Sequence, residues 1–359
     1  MSWSLEKILK AARHFHASDV HLIRDVAPVL RINGEIRPID GEPLDVDTLK
    51  NIVYGMLNEQ LREQLDRTWQ LCFSKHWPEI GRFRIAVYFH AGCPEMSIRL
   101  CETVVRTREQ LKLPPIVEEL TRTPNGLILV TGPTGMGKTT TLNYMIDSIN
   151  RQRRSKIVTI EDPIEFVHEN ERSIVVQQEV MTDVRSFRDA LVHVLRQDPD
   201  VIVIGEMRNL ETIETALTAA ETGHLVLATL HTPDSVQTVQ RIYSVFPAEQ
   251  QNSIVTQIAN SLKAIIAQKL LPLASGKGQV LATEICIVTN AIRNHIRDRT
   301  VHQIYSEMQT GRKHQMQTMD GALLDLYQRG EITYDTALTN AREQSHIQHK
   351  AGTANPTAK

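Results

Sequence analysis

The sequence predicts an α/β protein in which a parallel β-sheet core follows a smaller α+β domain. Two patterns indicate this fold. From residue 126 onward, short apolar runs alternate with amphipathic helical patterns, as they do in βαβ units. Before residue 104, short strand-like runs lie between two helical patterns, which is typical of a separate domain. The 359 residues are enough for two domains of this kind.

The first domain is predicted to span residues 1–103. Its strands are expected at residues 20–22, 29–32, 35–39 and 83–89, and its helices at residues 3–15 and 46–65. Asn33-Gly34 predicts a tight hairpin turn between two of these strands. Residues 104–115 end in Pro114-Pro115 and are predicted to form a linker, because two prolines disfavour a helix and favour an extended chain.

The second domain is predicted to span residues 116–345 and to begin with a short helix at 116–120. Its strands are expected at residues 126–131, 156–160, 173–177, 201–204, 225–230 and 280–288, and its first long helices at 187–197, 210–221 and 234–245. Residues 248–270 and the chain from 291 onward have helical patterns. Residues 346–359 are a polar tail that we expect to be disordered.

Composition and charge exclude several classes of protein. No apolar run approaches the roughly 20 residues of a membrane-spanning helix, and residues 1–10 lack a secretory signal, so we expect a cytoplasmic protein. The four cysteines include no C-x-x-C pair, which argues against a disulfide framework or a cysteine zinc site. A net charge of −2 gives no general attraction to polyanions, and we expect no nucleic-acid partner.

A phosphate-binding loop follows the first apolar strand of the core. Its pattern is G-x-x-x-x-G-K-T, and a helix with apolar residues at i, i+3, i+4 and i+7 follows it directly. Glycines let backbone amides wrap a polyphosphate, Lys138 supplies charge to the β- and γ-phosphates, and Thr139 offers a hydroxyl to Mg²⁺. The residues predicted to bind a nucleoside triphosphate are Gly132, Pro133, Thr134, Gly135, Met136, Gly137, Lys138, Thr139 and Thr140.

Acidic residues follow two further strands of the core. Glu161, Asp162 and Glu165 come after the strand at 156–160, where carboxylates can orient a water for attack on the γ-phosphate. A solvated acidic loop is the alternative interpretation. Glu206 follows the strand at 201–204 by two residues and is placed to reach Mg²⁺. Glycine stands at 205, where many such enzymes have aspartate.

Two histidines bracket the strand at 225–230. Because seven residues separate His224 from His231, an uninterrupted strand would point them to opposite faces, and no further ligand stands near to complete a zinc site. Satisfied core histidines are one interpretation. We favour a role in sensing the γ-phosphate and coupling domains.

Three arginines of the first domain are candidates for contact with nucleotide. Arg82 and Arg84 share one face of a strand by its two-residue period, and Arg99 follows. A solvated cationic face is the common outcome for such residues. The functional alternative is that they stabilise charge on a nucleotide held by another domain or subunit, as arginine fingers do.

Taken together, these motifs resemble those of the secretion-type ATPases. Within that family, the chain is similar over nearly its whole length to the type IV pilus retraction ATPases. The segments that carry the resemblance are residues 132–139, 161–168 (EDPIEFVH), 204–206 (IGE), 223–232 (GHLVLATLHT) and 17–22 (ASDVHL).

The resemblance implies a homohexameric ring whose subunits have a PAS-like N-terminal domain and a RecA-like ATPase domain, and which hydrolyses ATP with Mg²⁺ to drive pilus retraction. It implies that Glu165 is the catalytic carboxylate, that Glu206 is the second acidic element, and that His224 and His231 form a histidine box. The implied location is the cytoplasmic face of the inner membrane. The implied partners are the inner-membrane pilus platform protein and a paralogous retraction ATPase.

Other features decide between branches of the family. The chain lacks the cysteine-rich insert of assembly ATPases, which favours retraction over assembly. Residues 291–298 resemble a motif that retraction needs but hydrolysis does not, although His295 stands where the family has leucine. Residues 70–78 and 91–97 are closer in places to accessory retraction ATPases. A nucleic-acid translocase, a kinase and a nucleotide-gated module without hydrolysis are the alternatives from other classes.

Overall fold

The core sheet has seven strands in the order β13-β12-β7-β11-β10-β8-β9. In this computed structural model, which describes residues 3–32, 34–102, 104–207 and 209–354, the β12-β7, β7-β11, β11-β10 and β10-β8 pairs are parallel, whereas β13 is antiparallel to β12. The strands are β7 (Gly126–Thr131), β8 (Lys156–Glu161), β9 (Ile174–Glu179), β10 (Val201–Ile204), β11 (Leu225–Leu230), β12 (Leu262–Pro272) and β13 (Gln279–Ile287).

The three middle strands are buried along their whole length. Every residue of β7, β10 and β11 is buried, which explains why they are continuous apolar runs rather than alternating ones. Because β7, β8, β10 and β11 run in the same direction, their carboxyl ends share one edge of the sheet. The predicted α/β class with a RecA-like core is confirmed.

Helices cover this sheet and extend beyond it. Their bounds are α4 (Pro115–Leu120), α5 (Lys138–Gln152), α6 (Phe187–Val194), α7 (Leu210–Glu221), α8 (Ser235–Ser244), α9 (Gln251–Ser261), α10 (Asn290–Arg297), α11 (Ile304–Thr310), α12 (Met319–Gln328), α13 (Tyr334–Asn340) and α14 (Gln344–Ala354). Side chains of Ser186, Asn209, Asp234 and Thr289 accept backbone hydrogen bonds at the starts of α6, α7, α8 and α10.

The N-terminal sheet is antiparallel and has six strands in the order β3-β2-β1-β6-β5-β4. They are β1 (Asp19–Leu22), β2 (Val29–Ile32), β3 (Glu35–Pro38), β4 (Gln70–Trp77), β5 (Gly81–His90) and β6 (Cys93–Leu100). Three helices, α1 (Leu5–His14), α2 (Val46–Met56) and α3 (Glu59–Thr68), accompany them. Asn33 of the predicted hairpin turn lies outside the described residues, and Gly34 has a φ of +87°.

Three predictions about elements are wrong, and two strands were missed. The helix predicted at 46–65 is two helices, because Leu57 is extended and Asn58 caps α3. Strands β4 and β6 were not predicted. The helical pattern at 248–270 holds only for α9, since β12 is paired on both sides. The tail at 346–359 is helical through Ala354, where Ile347 is buried against the C-terminal helices; residues 355–359 lie outside the described part.

Contacts divide the chain into two units that are not continuous in sequence. One comprises Met1–Val104, Glu161–His168 and Gln177–Arg185, and the other comprises Val105–Ile160, Glu169–Val176 and Ser186–Lys359. The acidic segment after β8 therefore packs with the N-terminal unit, although the sequence-based boundaries put it in the ATPase domain. Each unit has its own buried core.

Candidate nucleotide site

The phosphate-binding loop occupies the turn between β7 and α5. Gly132, Gly135 and Gly137 have φ values of +140°, +81° and +79°, which only glycine adopts without strain. Gly137 precedes α5, and no side chain caps this helix. The amides of its first turn therefore point toward the loop, where they can bind an anion.

Strand β12 supports the loop from beside β7. A Cβ on Gly132 would lie 2.6 Å from the carbonyl oxygen of Gln268, so the loop backbone passes close against this strand. The Leu270 amide donates to Met136 Sδ at 3.2 Å, and Gln268 Nε2 donates to Thr141 Oγ1 at 2.7 Å. These contacts fix both the loop and the first turn of α5.

Lys138 lies folded into the loop. Its Nζ donates to the carbonyl oxygens of Gly132 at 2.7 Å and Pro133 at 3.0 Å. Burial lowers the pKa of Lys138, while the nearby charge of Glu206 acts in the opposite direction. A phosphate group would place further negative charge beside this buried ammonium and favour its charged form.

His231 joins the loop to the acidic residue after β10. Its Nε2 lies 2.9 Å from Glu206 Oε1, and its Nδ1 lies 3.4 Å from Lys138 Nζ and 3.5 Å from Thr134 Oγ1. The structure thus brings together Lys138, Glu206 and His231, as the shared edge of parallel strands predicts.

His224 lies at the other end of β11. Its Nδ1 is 3.0 Å from the Ala219 carbonyl oxygen and 3.1 Å from Thr222 Oγ1. It therefore closes the connection from α7 to β11 and does not join His231 at the loop.

A buried carboxylate that the sequence-based interpretation missed fixes the segment after His231. Glu284 on β13 is 2% exposed, and its Oε1 accepts from the Ser235 amide at 2.8 Å and the Ser235 hydroxyl at 2.7 Å. Burial raises the pKa of Glu284. The signal in the sequence was a glutamate inside a predicted strand, residues 280–288, whose other residues are apolar except for Thr283.

The three candidate arginines belong to the N-terminal unit and each has an acceptor there. Arg84 Nη1 donates to Glu165 Oε1 at 3.2 Å, and Arg99 Nε donates to Asp19 Oδ1 at 2.9 Å. Arg82 pairs with Glu179 at 2.8 Å. The Arg84–Glu165 pair joins two residues to which the sequence assigned separate roles. Arg84 is a candidate arginine finger and Glu165 is the expected catalytic carboxylate, and both roles remain predictions.

The described residues contain neither a membrane-spanning helix nor a cluster of metal ligands. In the described part of the chain, no helix has the length and apolar character needed to cross a bilayer. Among the same residues, no three His, Cys, Asp or Glu side chains converge as metal ligands.

The loop lies between a buried parallel strand and a helix that no side chain caps. Lys138 lies inside the loop, and the Glu206 carboxylate lies beside it. This arrangement is that of a P-loop nucleotide-binding protein. Residues 83–355 match the family model of the Type II/IV secretion system protein. The chain belongs to this family and, as the sequence predicted, is an ATPase.

Comparison with individual proteins places the chain among the pilus-associated members. The type IV pilus retraction ATPase PilT of Pseudomonas aeruginosa is 42% identical over 331 residues, which cover 92% of this chain and 95% of PilT. The type IV pilus ATPase PilU of the same organism is 39% identical, with coverage of 94% and 88%. A crystal structure of the retraction motor PilT with bound ADP has a TM-score of 0.91 and covers 97% of this chain and 99% of its own.

Proposed function

We propose that the chain is the subunit of a homohexameric, Mg²⁺-dependent ATP hydrolase that retracts type IV pili. The observation that carries this proposal is its end-to-end similarity to the PilT retraction motor in both sequence and fold. The absence of a cysteine-rich insert from the sequence also favours retraction over assembly. The motor acts at the cytoplasmic face of the inner membrane, on the pilus platform protein.

ATP binds with its β- and γ-phosphates in the loop at residues 132–139. Lys138 moves from the carbonyl oxygens of Gly132 and Pro133 onto the phosphates, because these offer it a full negative charge. The donor set fits Mg²⁺, since the Thr139 hydroxyl and the Glu206 carboxylate are hard oxygen ligands. The metal, when bound, neutralises phosphate charge.

His231 reports whether the γ-phosphate is present. It contacts Lys138 on one side and Glu206 on the other, so that any displacement of Lys138 changes the partners of its Nδ1. A ligand changes a conformation only by binding two arrangements unequally. The His231 contacts provide such a difference between the empty and the occupied loop.

Glu165 acts as the carboxylate that orients the attacking water. In the described structure it is paired with Arg84, which we propose leaves Glu165 for the γ-phosphate. Arg99, which pairs with Arg84 in the β-ladder, adds to the positive charge at this face.

A Glu165→Gln variant tests the enzymatic part of the proposal. We expect it to bind ATP normally, because the loop and Lys138 are unchanged, and to lose about 10²- to 10⁴-fold in turnover. Phosphate release and binding of a fluorescent ATP analogue give the two quantities. Near-normal turnover would contradict the assignment of Glu165.

Deletion of the gene tests the direction of the motor. Cells that carry excess pili and do not twitch indicate retraction, whereas cells without pili indicate assembly. Similarity to PilU at 39% makes an accessory retraction motor the second candidate. Restored twitching in a strain that lacks its principal retraction ATPase would identify a principal motor, and failure there would identify an accessory one.

A further inference from the structure

One residue of the acidic segment, Ile164, is held at both of its backbone polar groups. The Ile164 amide donates to Glu179 Oε2 at 3.0 Å, and the Ile164 carbonyl oxygen accepts from Arg82 Nε at 2.9 Å. Arg82 Nη2 also donates to the same Oε2 atom of Glu179 at 2.8 Å. Arg82 and Glu179 thus close a ring around Ile164, and we call these two residues the clamp.

The clamp is buried and its acceptors are satisfied. The Glu179 side chain is 2% exposed and that of Arg82 is 17% exposed. Glu179 also accepts from the Ser74 amide at 3.1 Å, from the Ser74 hydroxyl and from Thr182 Oγ1 at 3.1 Å. A buried carboxylate with this set of donors and one guanidinium has little freedom to move.

The backbone of Arg82 is also held by hydrogen bonds. The Arg82 carbonyl oxygen accepts from Arg13 Nη2 at 3.2 Å and from the Cys101 amide at 3.1 Å. Its guanidinium is engaged at Nε by a carbonyl and at Nη2 by a carboxylate, as described above. If Arg82 left these acceptors to bind a phosphate, the buried carboxylate of Glu179 would lose its cationic partner, which is costly.

The clamp lies one residue from the carboxylate expected to orient water. Glu165 follows Ile164 directly, and its side chain meets Arg84, which is two residues from Arg82 on the same face of β5. Holding the Ile164 N–H and the Ile164 carbonyl, which belongs to the peptide that joins Ile164 to Glu165, therefore fixes the direction in which the Glu165 side chain leaves the backbone. Misplacement of a reacting group by about 1 Å can cost on the order of 10² in rate.

We propose that Arg82 and Glu179 are positioning residues for Glu165, and that Arg82 is not one of the arginines that contact the γ-phosphate. This inference rests on the proposed function, because it assigns a task to Glu165. It removes Arg82 from the three candidate arginine fingers and adds Glu179, which no sequence motif marked.

Paired substitutions test the clamp. We expect Glu179→Gln and Arg82→Gln to lower kcat by about 10- to 100-fold each, with binding of a non-hydrolysable ATP analogue and of ADP unchanged. The double variant should be no slower than the slower single variant, because either change opens the same ring. Arg62→Gln is the matched control, since Arg62 also holds backbone carbonyls, those of Tyr54 and Leu57, in the N-terminal unit.

If Arg82 were instead an arginine finger that contacts the γ-phosphate, the same variants would behave differently. In that case Arg82→Gln weakens ATP binding more than ADP binding, while Glu179→Gln leaves turnover near normal; this pair of results would overturn the inference. If Glu165→Gln keeps its turnover, the proposed function of Glu165 fails instead, whatever the clamp variants do.

Hydrogen exchange separates positioning from general damage to the fold. In Glu179→Gln, amides of the segment at residues 161–168 should exchange faster, while those of α2 keep their protection. Arg82→Lys, which retains the charge but not the planar fork, should give intermediate kcat and exchange. Unchanged exchange in the 161–168 segment would contradict the clamp, and equal loss of protection in α2 would show a structural role alone.

Discussion

At the scale of single residues, His168 shows how burial sets the charge of the acidic segment. The ring packs edge-on against Phe166 with centroids 4.8 Å apart, and the residue is 7% exposed. Burial lowers the pKa of His168 to about 4. The neutral imidazole is therefore the form that the folded protein accommodates.

This shift predicts that stability falls in acid. Between the unfolded pKa of 6.5 and the folded value of about 4, the unfolded chain binds a proton that the folded chain does not. The free energy of unfolding therefore decreases as the pH falls through this range, by about 2 kcal/mol from pH 7.5 to pH 5.0 for this residue alone. The urea midpoint of the wild type at the two pH values measures it.

His168→Gln provides the comparison, because other groups also titrate between these pH values. The variant should lose less stability on acidification than the wild type does. Equal losses in the two proteins would mean that His168 is protonated in the folded state at pH 5.0.

Residue identities predicted part of the site and missed the rest for a physical reason. Lys138, Glu206 and His231 converge because each follows a parallel strand of one sheet, and strand direction can be inferred from the alternating pattern. The Arg82–Glu179 pair joins residues 97 positions apart. A two-residue period gives the face of Arg82 but not its partner, which only tertiary structure decides.

At the scale of elements, β12 is the strand that the sequence pattern misassigned. Leu262, Ile265 and Ile266 have the spacing of an amphipathic helix, yet this segment pairs with β7 on one side and with β13 on the other. Pairing in the sheet satisfies its backbone on both edges and overrides the local pattern. The error matters for function, because β12 supports the phosphate-binding loop.

The close approach of β12 predicts the effect of Gly132→Ala. The new Cβ would lie 2.6 Å from the Gln268 carbonyl oxygen, at a φ of +140°. Either the loop or the strand must move, so we expect affinity for ATP to fall by about 10-fold or more, as for a strained backbone costing 1–3 kcal/mol. Titration with a fluorescent ATP analogue measures the affinity.

Gly223→Ala is the matched control for backbone strain. Gly223 also has a positive φ, of +105°, but a Cβ there meets nothing within 4 Å, and it lies before β11, away from the loop. It should lose stability without losing affinity. If Gly132→Ala binds as well as Gly223→Ala, the loop does not depend on its contact with β12.

At the scale of the whole molecule, a motor must carry a change at the nucleotide to a surface that acts on the pilus. Strand β13 connects the surroundings of the nucleotide loop with helix α10. It pairs with β12, which contacts the loop, it carries Glu284, which holds the segment after His231, and it ends three residues before α10. Helix α10 is the segment whose sequence resembles the motif needed for retraction but not for hydrolysis.

The arginines of α10 are held by α9 and not by the nucleotide site. Arg293 Nε donates to the Ala259 carbonyl oxygen at 2.9 Å, and Arg297 Nη2 donates to Asn260 Oδ1 at 2.9 Å. These acceptors compensate two like charges one turn apart. Ile292 and Ile296 of the same helix are buried, so the helix keeps its place through apolar contacts as well.

A double variant, Arg293→Ala with Arg297→Ala, should therefore separate hydrolysis from retraction. We expect ATP turnover within about twofold of the wild type, since neither side chain contacts the loop, and loss of twitching in cells that produce the variant as their only copy. Phosphate release and a twitching assay on the same strains measure the two effects.

Arg329→Ala, at the exposed end of α12, controls for the loss of surface charge and should keep both activities. Two other results for the Arg293→Ala, Arg297→Ala double variant would contradict the prediction. Loss of turnover together with twitching would mean that the contacts of Arg293 and Arg297 with α9 are needed for the stability of the ATPase unit itself. Full twitching in the double variant would mean that force leaves the subunit by a surface other than α10.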